Sequence, residues 1–197
     1  MSTTPCHRFA NLIARRSGFT LIELIIVALM VGMLAAVVVP LVSDSEQQAD
    51  EAALRSTVAR VRAAISLYNQ QHGEYPARRQ SSGGPCPDGL AGKGRRDSPE
   101  AFIEQLTEYS TGNGRTCDEP MKSVPNYGPY LQLREFPANP ITGSATIEVI
   151  ARSSATAGDL ALTGSQAAGG WLYDPRSGLF IANDTSLDSS DSSFDSY

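Results

Sequence analysis

Arg15-Arg16-Ser17-Gly18-Phe19-Thr20-Leu21-Ile22-Glu23-Leu24-Ile25-Ile26-Val27 opens the stretch of this chain whose reading decides its fold. From Phe19 to Val42 run 24 residues with a single ionisable side chain, Glu23. At about 1.5 Å per residue a helix of that length crosses a hydrocarbon core of roughly 30 Å, so the run predicts a transmembrane helix. Arg8, Arg15 and Arg16 precede it; Asp44, Glu46, Asp50 and Glu51 follow it. The positive-inside bias then keeps residues 1–18 in the cytoplasm and places the C-terminal body on the other side. A secretory signal would be cut beyond its apolar core at small residues such as Ala35-Ala36. Here Val-Val-Val-Pro and a helical pattern in phase with the run come next, so the anchor is expected to stay.

Glu23 is the costly residue in this run. A carboxylate near the end of a membrane helix needs a partner, water or headgroups. It therefore either meets a cation or rests in the interfacial zone. Ala28, Gly32 and Ala36 share one helix face, a small-residue spacing that lets helices approach closely in lipid. Pro40 removes one backbone hydrogen bond, which predicts a kink or local melting near Ala36, or marks the exit from the bilayer.

Gly18-Phe19-Thr20-Leu21-Ile22-Glu23, after a short basic leader and before the long apolar run, resembles the processing motif of type IV pilins and type II secretion pseudopilins. The resemblance implies that a prepilin peptidase cuts between Gly18 and Phe19 and methylates the new amino group of Phe19. Glu23 falls on the family's carboxylate and Pro40 on its helix-interrupting proline. The partner of Glu23 would then be the amino terminus of Phe19 on a neighbouring subunit in a filament. Other implied partners are further copies of the chain, minor pilin-like subunits, an inner-membrane assembly platform and the lipid bilayer. The implied location is the bacterial inner membrane, with the N-terminus cytoplasmic and the head periplasmic, and later a periplasmic or surface filament.

Beyond the membrane run about 150 residues remain, enough for one compact domain. The whole chain carries a formal charge of −5; without residues 1–18 the side chains are 13 basic and 21 acidic, or −8. A basic face for nucleic acid is not expected on such a body. Cys6 lies in the leader, which leaves Cys86 and Cys117 as an even pair in an oxidising compartment, bridged or free. A bridge would close a loop of about 32 residues and contribute roughly 3–4 kcal/mol in the chain-entropy model. His7 and His72 are the only histidines, and there is no Gly-x-Ser-x-Gly, phosphate-cradling Gly-x-x-x-x-Gly-Lys or Cys-x-x-Cys. A histidine triad or multi-histidine metal centre has no material here, so no enzyme and no cofactor is expected.

Leu54, Val58, Val61, Ile65 and Tyr68 recur at helical steps, while Glu51, Arg55, Arg60 and Arg62 are expected to point away from that face. Gly73 and Pro76 stop the pattern. Tyr68-Asn69-Gln70-Gln71-His72-Gly73-Glu74-Tyr75-Pro76 also resembles the end of this helix in G-type secretion pseudopilins. Residues 77–98 form a long loop with Arg78, Arg79, Lys93, Arg95 and Arg96, either a solvated face or a contact with acidic groups on the next subunit. Ser98-Pro99-Glu100 starts a short helix, about Pro99 to Tyr109. The segment Phe136-Pro137-Ala138-Asn139-Pro140 resembles the lead into the sheet of pseudopilin heads. Strands are expected at Thr146–Ala151, Leu160–Thr163, Gly170–Tyr173 and Leu179–Ala182. Asp174-Pro175 and Gly178 turn the last two into a hairpin. Asp184, Asp188, Asp191 and Asp195 lie among Ser and Thr in what reads as a solvated or disordered tail. Calcium, which the resemblance to G-type pseudopilins brings into view, has no EF-hand spacing here.

The expected fold is α+β, the pilin fold. A long N-terminal helix, membrane half then amphipathic half, packs on a small C-terminal antiparallel sheet. The expected boundaries are leader 1–18, membrane and assembly helix 19–42, amphipathic half 43–72, head 73–183 and acidic tail 184–197. The implied function is a structural filament subunit, foremost a type II secretion pseudopilin that polymerises in the periplasm to drive protein export. A type IV pilin of a surface fibre is the alternative, and a membrane-tethered binding module that never polymerises is the alternative of another class.

Overall fold

The computed structural model describes residues 19–87, 89–122, 124–133, 135–150 and 169–197, with the side chains of residues 37–44 outside that description. The chain forms two compact units, Met1–Asp44 and Ser45–Tyr197. Gly18 and the expected strand Leu160–Thr163 lie outside the described residues.

Helix α1 spans Leu21–His72. Its first turn is capped by Thr20, whose hydroxyl accepts a hydrogen bond from the Glu23 N–H at 3.3 Å. Its last turn is closed by Gly73, which takes φ +71° and donates its N–H to the Asn69 carbonyl at 2.8 Å. In the first unit the apolar side chains from Leu21 to Leu34 are exposed. The described side chains there end at Ala36, about 24 Å of helix. Among the described residues no helix is long and apolar enough to cross a membrane. Residues 37–42, the remainder of the apolar run, are helical in their backbone while their side chains lie outside the described ones; α1 continues through Pro40, so the local melting expected near Ala36 is not seen.

In the second unit the expected stripe is the core. Leu54, Val58, Val61, Ile65 and Tyr68 are all buried and pack with Phe102, Leu106, Phe136, Ile147, Trp171, Tyr173, Phe180 and Phe194. Helix α2, Pro99–Thr107, starts at the Ser98 cap, whose hydroxyl accepts from the Ala101 N–H. It stops two residues before the expected Tyr109, because Tyr109–Ser110 (β1) leave to pair antiparallel with Thr116–Cys117 (β2). The main sheet holds Ile147–Val149 (β3), Trp171–Asp174 (β4) and Leu179–Ala182 (β5). β4 and β5 form the expected hairpin, with Gly178 at φ +75° and Asp174 opposite Leu179.

Two expectations are corrected. The sheet is mixed rather than antiparallel, since β3 runs parallel to β4 with Ile147 opposite Trp171. A parallel pair needs a crossover of a dozen or more residues, and the chain from 150 to 170 supplies that length. The stretch 184–197 is also no solvated tail. Phe194, in a 3-10 turn over Phe194–Ser196, is buried in the core, as are Asp184 and Asp188 at its edge. One phenylalanine entering an apolar core outweighs the acidic composition around it.

Candidate functional site

The N-terminal end of α1 carries the expected processing and assembly residues. Phe19 is 78% exposed, and Glu23 sits in the first helical turn, where a carboxylate complements the positive end of the helix dipole. Thr20-Leu21-Ile22-Glu23 also has the Thr-x-x-Glu spacing of a capping box. The cap role of Thr20 was legible in that spacing and is additional to the residues the motif singled out. A Cβ built on Gly32 meets nothing within 4 Å, so the close-approach face of α1 is open in the isolated chain.

Cys86 and Cys117 are joined as a disulfide with Cα atoms 5.7 Å apart. This fastens the long loop to β2, and the contact is tight: a Cβ on Gly84 would lie 2.7 Å from the Thr116 carbonyl oxygen. From the other side Glu104 of α2 accepts hydrogen bonds from the N–H groups of Lys93 and Gly94, both at 3.0 Å, and from the Ser81 hydroxyl. Gln105, fully buried, accepts from the Ala77 N–H at 2.7 Å and donates to the carbonyls of Arg79 and Gly114. A loop without apolar period is thus held by a disulfide and two polar side chains of α2. Sequence reasoning missed Glu104 and Gln105, because nothing local distinguishes them from ordinary exposed helix residues. Of the loop cations, Arg79 pairs with Glu74 at 2.8 Å and Arg78 lies 4.0 Å from the same carboxylate.

At the end of α1, His72 stacks on Tyr68 with ring centroids 4.0 Å apart. Its Nε2 lies 3.0 Å from the Tyr130 hydroxyl and 3.2 Å from that of Ser110. Burial lowers the His72 pKa against an opposing hydrogen bond to the Gly112 carbonyl, and burial likewise pushes Tyr68 upward. This aromatic corner ties the helix terminus to β1 and to the Tyr127–Leu131 segment.

The polar face of α1 holds the C-terminal stretch. Glu51, expected to face outward, is buried and accepts both the Ser189 N–H and its hydroxyl at 2.9 Å. Arg55 reaches Asp188 at 3.3 Å and the Tyr197 hydroxyl at 2.6 Å, with its guanidinium 4.6 Å from the Tyr197 ring centre. Arg62 donates to the carbonyls of Phe180 and Tyr197. Hydrogen bonds, foremost from the Tyr197 hydroxyl, hold Asp188 well below the usual carboxylate range. These acids do not suit calcium: Ser190, Ser192 and Tyr197 use the Asp188 oxygens, and the Arg55 cation stands beside them. Among the described residues no group of three or more His, Cys, Asp or Glu is placed to hold a metal ion.

Comparison with known proteins adds a family to this geometry. No family model and no solved structure matches. Curated relatives do. The chain is 36% identical over 66 residues to type II secretion system core protein G of Pseudomonas aeruginosa, covering 34% of this chain and 46% of that one. It is 28% identical over 100 residues to the protein of the same name from Klebsiella pneumoniae, 50% of this chain and 71% of that one. It is 36% identical over 78 residues to a fimbrial protein of Neisseria meningitidis, 40% of this chain and 46% of that one. The chain thus spans just under half the length of the Pseudomonas and Neisseria proteins. With the motif at Gly18–Glu23 and an α+β head packed on the later part of its N-terminal helix, the chain is similar to type IV pilins and type II secretion pseudopilins.

Proposed function

We propose that this pilin-like subunit polymerises in the periplasm as a type II secretion pseudopilin of the G type and drives protein export mechanically, without catalysing a reaction. The observation that carries the reading is the pairing of an exposed apolar stretch, Leu21–Leu34, with a separately packed head whose core uses the later part of the same helix. Exposed apolar area of that extent stabilises only when lipid or other copies cover it. Core protein G is also the name that recurs among the relatives.

On this reading a prepilin peptidase cuts after Gly18 and methylates Phe19. Residues 19–42 then span the inner membrane once, and later form the filament core. Residues 43–72 carry the head, which continues to Tyr197. Glu23 sets register by meeting the Phe19 amine of a neighbouring copy, a pair that stabilises strongly where water is scarce. An assembly platform and minor pilin-like subunits would complete the machine. The fimbrial relative supports a second reading, a surface fibre. Intact-mass and N-terminal analysis of the chain from its host, beside a host lacking the peptidase, is the test. A start at methylated Phe19 is expected; a start at Met1, or beyond Ala36, overturns the processing step. Glu23→Ala should insert normally yet fail to polymerise, and unchanged filaments would remove the register role. Secretion loss on deletion separates the pseudopilin from the surface fibre.

A further inference from the structure

Arg79, Arg96 and Arg115 converge on one open cleft of about 630 Å³, completed by the amides of Gln80 and Asn113. Asn113 and Arg115 also line an adjoining hollow of about 540 Å³, whose other side is Pro85, Val124, Pro125 and Tyr127. The two hollows therefore form one trough, cationic at one end and apolar to aromatic at the other. Its cations are held in place. Arg79 donates to Glu74 at 2.8 Å, and its carbonyl accepts from Gln105. The Arg115 carbonyl accepts from the Thr111 N–H at 2.8 Å, while its guanidinium donates to the Gly83 carbonyl at 2.9 Å. Glu104 accepts from the N–H groups of Lys93 and Gly94, just before Arg96. Among the described residues no carboxylate pairs with Arg96 or Arg115.

Guanidiniums only donate, so the cationic end takes an anion. Against three of them stands the Glu74 carboxylate, which leaves two positive charges for a ligand. A phosphate monoester matches them: it carries about −1.5 to −2 at pH 7 and presents three acceptor oxygens, where a carboxylate brings one charge and two oxygens. A long polyanion is disfavoured. Residues 45–197 hold thirteen basic and nineteen acidic side chains, a net −6, and that field repels extended negative charge. The two amides carry the recognition past the charge. Asn113 turns its oxygen to Arg79 at 3.5 Å, which leaves its NH2 for the ligand. The Gln80 NH2 lies 3.5 Å from the Ser82 carbonyl, which leaves the Gln80 oxygen to accept from a hydroxyl. Beyond them Tyr127, Pro85 and Pro125 offer an apolar wall to the face of a hydroxylated ring. A ring with hydroxyls on its edge and a phosphate at one end is a sugar phosphate.

We propose that this trough of the single head binds a sugar phosphate, with the phosphate monoester on Arg79, Arg96 and Arg115 and the sugar ring against Tyr127. Isothermal titration of the full chain in detergent at low salt tests it, with glucose 6-phosphate, inorganic phosphate and glucose as probes. Glucose 6-phosphate should bind about tenfold more tightly than inorganic phosphate, and glucose should not bind. Arg96→Gln with Arg115→Gln should weaken glucose 6-phosphate by about tenfold or more, since a hydrogen bond to a charged group is worth about that factor. Tyr127→Ala should remove the preference over inorganic phosphate and leave phosphate itself unchanged. Arg60→Gln, exposed on α1 away from the trough, should change nothing. An intact Cys86–Cys117 bridge and an unchanged urea midpoint by Trp171 fluorescence show that the variants fold. No binding of glucose 6-phosphate, undiminished binding by the double arginine variant, or equal affinity for inorganic phosphate and glucose 6-phosphate overturns the proposal. A glycolipid bearing the same sugar phosphate, dispersed in the same detergent, is the second arm. Tighter binding than glucose 6-phosphate upholds the site and assigns a membrane lipid as its source; weaker binding upholds it with a soluble ester. The titration needs no filament, so a chain that binds the ester yet never polymerises keeps this site and loses only the filament function.

Discussion

Phe194→Ala tests whether the acidic C-terminal stretch belongs to the folded head. Phe194 is 4% exposed and lies in the same apolar cluster as Leu54, Trp171 and Phe180. Truncating a buried phenylalanine costs about 3–5 kcal/mol. The short 3-10 turn that carries it lies at the edge of the core and can collapse inward, so about 3 kcal/mol is expected. For a head of this size an m value of about 1.5–2 kcal/mol per molar urea converts that loss into a midpoint shift of about 1.5–2 M. The single tryptophan, Trp171, is fully buried beside Phe180, with ring centroids 5.1 Å apart, and reports unfolding of the head directly. The assay is urea titration of the full chain in detergent, followed by Trp171 fluorescence. Hydrogen exchange across 184–197 should rise in the variant, as the hydrogen bonds that the stretch makes with Glu51, Arg55 and Arg62 lose their apolar anchor. A midpoint within about 0.3 M of wild type would refute the packing argument and return the stretch to solvent.

Reduction of Cys86–Cys117, which are 31 positions apart in sequence, should lower the same midpoint by the equivalent of about 3 kcal/mol, read with and without dithiothreitol. Gly178→Ala should cost about 2 kcal/mol or more, because the position has φ +75° and the new Cβ would lie 2.4 Å from the Tyr75 ring; an unchanged urea midpoint would refute it. His72 has a pKa lowered by burial, so its folded state binds fewer protons than the unfolded chain. Its contribution is present above the unfolded pKa of about 6.5 and is lost as pH falls through that value toward the folded one. The difference in stability between wild type and His72→Phe should therefore shrink from pH 7.5 to pH 5.5, and a difference constant with pH would refute it.

The parts of this protein that were legible in its sequence are those where one residue type has one physical use. An uninterrupted apolar run with basic residues before it, the Gly-Phe-Thr-Leu-Ile-Glu motif, and the Leu54–Tyr68 stripe each need no distant partner to be recognised. The stripe became the core, and the Gly178 turn and the Ser98 cap formed where local backbone chemistry required them. What only the tertiary structure decided depends on residues far apart in sequence. Glu51 and Arg62 look like solvated helix charges until Ser189 and Tyr197 arrive beside them. Acidic composition suggested a solvated end, but the free energy of burying one aromatic ring is invisible to an average over composition. The parallel pairing of β3 with β4 likewise turns on how a long connection crosses the sheet. Short-range patterns fix which segments become helix, turn or strand, because backbone propensity and apolar period act within a few residues. Which charges are buried, which strands are parallel and where the three arginines converge are set by contacts that exist only once the chain has closed on itself.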